Sequence, residues 1–314
     1  YRSHVDYDGP LGPGWNHNHN HRLVVDGDSP VTAKRVAWYT GQRRVLFYRQ
    51  GDGWLAEEGA FYRLFFNNTQ AVIETPTLNR LMFERAQAQK PGSQRWRIKT
   101  VATRHDAWRA NTLRYTYDND RLSSVVDPFG NDIRFHYDRD GRLCELRHGT
   151  LVVRYGYDGE GRLNSVTTLA VARSVEESSD LEWAFEYDQF PSESPRSWLV
   201  GTVPPGGGPK KVINYERVAA SPDFGWVREI RFCKDGLSKE SLAAWKFDRL
   251  HDAGDISCTV RVTPPSPLPV ETFTYRITES QAGQCERLPV ARAIPARKAV
   301  WTLSYNEDGL LKEE

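Results

Sequence analysis

Three histidines, His17, His19 and His21, alternate with asparagines just after the start of the chain. On an extended strand all three would face one side, and two or three imidazoles so placed could ligate zinc or copper. The plainer reading is a polar strand face, so no metal and no other cofactor is assigned. Asp138-Arg139-Asp140-Gly141 and Asp6-Tyr7-Asp8-Gly9 hold fragments of a calcium loop. The third acid and the distal Glu are missing from both, and ordinary turn chemistry accounts for them. No Gly-x-Ser-x-Gly elbow occurs, no Ser or Cys stands in a nucleophile context, and no carboxylate pair separates from the many acids at turns. No catalytic residue is assigned, and the expectation is a protein that is not an enzyme. Cys144, Cys233, Cys258 and Cys285 form no C-x-x-C pair, which argues against a zinc ribbon or a thioredoxin-like site. Their even number permits two disulfides, and buried free thiols are the commoner outcome. Asn67-Asn68-Thr69 is a glycosylation sequon.

The elements that carry these residues read as strands. The 314 residues include 10 Trp, 14 Tyr and 13 Phe, with 24 Gly, 18 Pro and a single Met. Aromatic side chains suit half-buried pleated surfaces, while Gly and Pro punctuate short elements. Lys plus Arg (42) nearly balances Asp plus Glu (41), without the basic excess expected of a nucleic-acid or anionic-membrane binder. No apolar run is long enough for a transmembrane helix. The chain starts at Tyr1 without a signal peptide and reads as an internal piece of a longer protein.

The strongest signal is a repeat. Tyr117-Asp118, Tyr137-Asp138 and Tyr157-Asp158 recur at a spacing of 20. Before each pair, apolar and polar residues alternate, as in Ile133-Arg134-Phe135-His136-Tyr137, the period of a half-buried strand. The Asp opens a turn by accepting backbone N–H bonds, and Gly141 or Gly161 supplies the positive φ that closes a short hairpin loop. Arg121-Leu122, Arg142-Leu143 and Arg162-Leu163 then begin the returning strand. Asp127-Pro128-Phe129-Gly130 has the composition of a type I turn between hairpins. Leu143 and Leu146, like Leu163 and Val166, stand three apart and would face opposite sides of a regular strand. Either both faces are apolar or a bulge intervenes.

A looser version follows. Strand-ending aromatics at Tyr187, Tyr215, Phe247, Tyr275 and Tyr305 lie 28 to 32 residues apart. Val203–Pro209 and Thr263–Pro269 read as loop excursions, and Ser238–Phe247 is the one modest helix candidate, although Phe247 fits the strand series better. Trp183, Trp226, Trp245 and Trp301 fall at strand positions where packing is the simplest account. Were they exposed, they would stack on sugar rings, which makes an extracellular adhesive or carbohydrate-binding surface the alternative function.

The pattern Tyr-Asp-x-x-Gly-Arg-Leu, with Asp-Pro-x-Gly alongside, resembles the YD repeat of Rhs proteins. The opening Gly9-Pro10-Leu11-Gly12-Pro13-Gly14-Trp15 is similar to the segment that introduces the Rhs repeat region. The resemblance, which takes in the C component of insecticidal toxin complexes and the teneurins, implies an all-β fold. Its YD hairpins would form a spiralling ribbon and a partial or open β-cocoon shell. It further implies a non-catalytic bacterial shell fragment, secreted or cell-surface after export, that scaffolds or encapsulates a C-terminal toxin or effector domain not present in this chain. That domain and a secretion-system component are the implied partners, with self-association to close the shell, and no nucleic acid or membrane span is involved. The family's aspartyl self-cleavage motif is not carried over, because Asp127–Gly130 is followed by Asn131 rather than Leu. The expected plan is an opening segment over 1–30, irregular strands over 31–112, tandem YD repeats over 113–168 and degenerate repeats over 169–314. About 22 strands stacked at about 4.8 Å give a ribbon on the order of 100 Å long, enough for an open cup.

Overall fold

Alternating burial runs through the first third of the chain and shapes it into strands. The computed structural model describes residues 8–302 apart from 42–43, 58–60, 68, 88–91, 104–110, 171–179, 190–196, 218–224, 235–240, 252–256, 280–284 and 295–298. It divides into two compact units, Tyr1–Leu181 and Glu182–Glu314. No described helix is long and apolar enough to cross a membrane.

In the first unit a miniature ladder joins Asp8–Gly9 (β1) to Gly12–Pro13 (β2). Then come Arg22–Asp26 (β3), Arg35–Tyr39 (β4), Arg44–Gln50 (β5), Gly53–Ala56 (β6), Arg63–Phe66 (β7), Gln70–Glu74 (β8), Arg80–Arg85 (β9) and Ser93–Ala102 (β10). Cross-strand register places Leu23 opposite Trp38, Val36 opposite Phe47, Ile73 opposite Leu81 and Phe83 opposite Ile98. These side chains share one face and are buried. Each fully buried Leu, Ile, Val or Phe contributes roughly 1.5–3 kcal/mol by leaving water, so the pattern itself rolls the sheet inward. Residues 31–112, where irregular strands are expected, include seven of the strands of a small barrel. β6 and β7 meet at its seam, and β10 returns to β3 with Trp96 opposite Leu23.

β10 is a branch point. One edge pairs with β9, while the other is shared, Ser93–Arg97 with β3 and Thr100–Ala102 with Thr112–Asp118 (β11). From β11 a ribbon of antiparallel hairpins continues through Arg121–Val126 (β12), Asp132–Tyr137 (β13), Leu143–His148 (β14), Leu151–Tyr157 (β15) and Leu163–Ala170 (β16). The question raised by Leu143 and Leu146 is settled by a bulge. Phe135 faces Leu146 and Tyr137 faces Leu143, with the register shifting between His136 and Tyr137. The same shift precedes Tyr117 and Tyr157. One extra residue per returning strand therefore returns both apolar side chains to one face. That face joins the barrel interior in a single core that includes Tyr115, Leu122, Val125, Phe135 and Leu143.

The turns follow the residues. Asp138 Oδ1 accepts the Arg142 N–H at 2.8 Å, and Gly141, at φ +84°, donates to the Asp138 carbonyl at 3.2 Å. The first hairpin lacks the glycine. Asn119 (φ 47°) and Asp120 (φ 62°) make a two-residue loop there, in the left-handed region that Asn and Asp tolerate best.

The second unit comprises Leu181–Gln189 (β17), Ser197–Val203 (β18), Lys210–Tyr215 (β19), Val227–Cys233 (β20), Ser241–His251 (β21), Ser257–Thr263 (β22), Glu271–Glu279 (β23), Cys285–Ile294 (β24) and Ala299–Thr302 (β25). Register shifts precede Tyr187, Tyr215 and Tyr275, as in the tandem repeats. Phe247 pairs in register with Val262 and has no such shift, and Tyr305 lies outside the described residues. The helix candidate is a correction: Ser241–His251 is a strand, laddered to β20 on one edge and β22 on the other. Hydrogen bonding on both edges outweighs the helix preference of Leu242-Ala243-Ala244.

Candidate functional site

The repeat tyrosines and the opening segment meet in the first unit. Each tyrosine is held by the hairpin before its own. The Tyr137 hydroxyl donates to the Leu122 carbonyl at 2.9 Å and the Tyr157 hydroxyl to the Leu143 carbonyl at 2.7 Å. The guanidinium preceding that leucine lies over the tyrosine ring: Arg121 over Tyr137 at 5.9 Å and Arg142 over Tyr157 at 5.7 Å. Arg97 of β10 takes this place over Tyr117 at 4.5 Å, fixed by Glu84 at 3.0 Å and Asp120 at 2.7 Å. A Cβ on Gly141 would stand 2.5 Å from Arg121 Nη2, and one on Gly161 would collide with Arg142. The glycine therefore serves its own turn and also leaves room for the previous arginine. Desolvation raises the Tyr137 hydroxyl to about 12, keeping it a donor. At Asp158 burial opposes ionisation, but the Arg162 N–H and guanidinium outweigh it, and the pKa is lowered.

The opening segment caps this interlock. The Pro10 carbonyl accepts the Leu143 N–H at 2.7 Å and the Tyr157 hydroxyl at 3.3 Å, and Asp8 pairs with Arg142 at 3.2 Å. Gly9 and Gly12 face each other in the miniature ladder. Gly12, at φ +81°, approaches so closely that a Cβ would meet the Gly161 carbonyl oxygen at 2.6 Å. Gly14, at φ +74°, turns the chain, so that Trp15 packs on the core beside the buried Leu11. Gly41 gives the segment its path, since a Cβ there would strike the His17 carbonyl at 2.5 Å.

His17, His19 and His21 do not lie on a strand. Asn20 N–H donates to the His17 carbonyl at 3.0 Å in a turn. His17 leans on Phe135 (centroids 5.6 Å), His19 on Tyr115 (5.9 Å), and His21 stacks on Trp38 (5.9 Å). Burial, with the neighbouring imidazoles adding to it, pushes His17 and His21 down to about 4, and burial lowers His19 as well. His17 and His19 thus lie against aromatic rings of the ribbon, and His21 against the barrel strand β4. Among the described residues no cluster of three or more His, Cys, Asp or Glu is placed to hold a metal ion.

Between the opening segment and the hairpin ends lies a cleft of about 440 Å³ lined by His17, His21, Arg97, Arg121, Asp120 and Arg142. Arg97, Arg121 and Arg142 in its wall are engaged in the contacts above. Cys144 and Cys233 are free thiols; the side chains of Cys258 and Cys285 lie outside the described residues. Trp183 is 43% exposed, which packing does not explain.

Residues missed in the sequence are Arg97, Gly41 and, in the second unit, Trp198 and Gly225. Gly225-Trp226-Val227 carries a visible signal, the spelling Gly-x-apolar after Tyr215. Arg97 and Gly41 act through contacts distant in sequence and carry none.

Residues 1–48 match the family model DUF6531, a domain of unknown function. The match covers the opening segment and the first strands of the barrel. No curated protein matches the chain. Among solved structures, the crystal structure of TcdB2-TccC3-TEV is similar over 92% of this chain at 10% identity and a TM-score of 0.34. The chain spans 16% of that longer chain. Each unit is built of antiparallel β-strands.

Proposed function

We propose that this chain is a stretch of wall in an Rhs-type YD shell, whose role is to scaffold or enclose a toxin or effector domain attached beyond it. The observation that carries this reading is the hairpin-to-hairpin interlock: Arg121 over Tyr137 against Gly141, then Arg142 over Tyr157 against Gly161. The signature residues are used up in holding each hairpin to the next, as in repeat walls whose stability resides in neighbour interfaces. The opening segment anchors the wall by bonding to the second and third hairpins. A secretion-system component would recognise the assembled wall, and export would place it outside the cell.

The test uses the longer protein with its natural C-terminal continuation, subjected to limited proteolysis. Containment predicts that the continuation is protected in the intact protein and cut rapidly once Gly141→Val and Gly161→Val break two interlocks. If the continuation is cut equally fast in both, while circular dichroism shows the double variant has lost its ladder, containment is wrong.

A further inference from the structure

The opening segment runs into β3 at residue 22 and folds over the ends of the second and third hairpins. Its fastenings include the Asp8–Arg142 pair and the Pro10 carbonyl on the Leu143 N–H. The Asn16 side-chain amide also donates to the Thr40 carbonyl at 3.2 Å. Between these fastenings and β3 stand the three histidines, whose rings make the contact with Phe135, Tyr115 and Trp38.

Among the described residues no group in that contact is placed to receive a second proton. Both ring nitrogens of His17 are buried and have no hydrogen-bond partner in the protein, although the residue as a whole is half-buried. Nδ1 of His21 is in the same state, while the Asn18 backbone bonds to that ring. His19 Nδ1 meets the Tyr115 hydroxyl at 3.3 Å. A neutral imidazole leaves one donor and one acceptor unmet at His17. An imidazolium would leave two donors unmet and bury a charge besides, which is far more costly. The charged groups along the cleft do not relieve it. Arg22 comes from β3, Arg95 and Arg97 from β10, Arg121 from the first hairpin and Arg142 from the second. Against these cations stand three aspartates: Asp120 is paired with Arg97, Asp8 with Arg142, and Asp140 is exposed at a turn. Burial keeps Tyr115, Tyr117 and Tyr137 un-ionised.

We propose that the opening segment is an acid-operated latch, which protonation of His17 and His21 releases from the second and third hairpins while the barrel stays closed. In the released segment water solvates the rings, which titrate near the ordinary 6.5; docked, burial holds them down to about 4. Between these values only the released form binds the protons, so acid opens the latch and neutral pH closes it. Release frees the Leu143 N–H and the Tyr157 hydroxyl from the Pro10 carbonyl and bares the Phe135 and Tyr115 rings. Such a latch works whether or not the wall encloses a cargo.

The experiment is hydrogen exchange by mass spectrometry on the chain at about pH 7 and about pH 5, with rates corrected for the intrinsic effect of pH. Protection over residues 8–21 and at the Leu143 amide should fall about tenfold or more at the lower pH and recover on neutralisation. Amides of the β3–β10 ladder should stay at least about tenfold better protected than the segment at both values. His17→Phe with His21→Phe, and independently His17→Leu with His21→Leu, should abolish the fall. The latch is refuted if protection over residues 8–21 is the same at both pH values, or if the fall survives both pairs of substitutions. It is refuted equally if segment and barrel share one protection factor throughout, since they then open only as a whole.

Discussion

Tyr137 in the tandem repeats and Tyr215 in the second unit occupy equivalent places. Each follows a register shift and donates its hydroxyl to a leucine carbonyl at 2.9 Å, Leu122 in one case and Leu199 in the other. What covers the ring differs: Arg121 lies over Tyr137, and Trp198 meets Tyr215 at 4.6 Å. Gly141 makes room for Arg121, and Gly225, at φ +89°, makes room for Trp198, whose Cη2 would be 3.1 Å from an added Cβ. Even the turn closure is kept across a longer loop. Glu216 N–H donates to the Trp226 carbonyl at 2.8 Å and Gly225 N–H to the Glu216 carbonyl at 3.1 Å, as Asp138 and Gly141 do with Arg142 and Asp138. In both places the interlock sets a flat group over the tyrosine and a glycine beneath that group. Arginine suits the exposed position of residue 121, and tryptophan the buried one of residue 198.

The largest effect should come from the glycine. Gly141→Val forces a branched side chain into positive φ and into Arg121, and should cost about 3 kcal/mol. Gly149→Ala, at φ +56° with open space around it, should cost only about 1 kcal/mol. Equal shifts in urea midpoint for the two would remove the steric half of the comparison. Acid comes next. The folded-state pKa of His17 and His21, about 4, lies below the ordinary 6.5, so between those values the unfolded chain binds protons that the folded chain refuses. Stability should be unaffected by these groups above pH 6.5 and fall steadily as pH drops toward 4. Replacing both by Phe should flatten that limb of the pH–stability curve, and an unchanged limb would place the protons elsewhere.

Removing one hydroxyl is a smaller change. Tyr137→Phe and Tyr215→Phe should each cost about 1 kcal/mol, and Tyr157→Phe about 1.5 kcal/mol, because its hydroxyl also approaches the Pro10 carbonyl. A much larger loss at Tyr137 than at Tyr215 would show that the two units do not share one device. The smallest effect is the most discriminating. Arg121→Ala should cost about 0.5–1 kcal/mol and Arg121→Trp almost nothing, measured by thermal melting, if any flat group will cover the ring.

Much of the ribbon was legible because hairpin chemistry is local. Tyr137, Asp138 and Gly141 lie within five residues and spell strand, turn and return directly. The bulge was only half legible, since the spacing of Leu143 and Leu146 announced a conflict that cross-strand register had to resolve. The barrel was not legible as a closed object. Its strands alternate clearly, but the pairing of Arg22–Asp26 with Ser93–Arg97 joins segments that nothing in the spacing connects. The histidines misled for a related reason. Their alternation suggested a strand, whereas contact with Phe135, Tyr115 and Trp38, far away in the chain, set them into a turn. Ser241–His251 shows pairing on both edges overriding local preference.

The branch at β10 gives the ribbon a direction. A sheet edge with free N–H and C=O groups will accept another strand from any source. Here half of that edge is occupied by β3 and half by β11. The ribbon thus has a sealed origin, like a filament grown from a seed, and hairpins can be added only away from it. Such an array can lengthen or shorten by whole hairpins without altering how it begins.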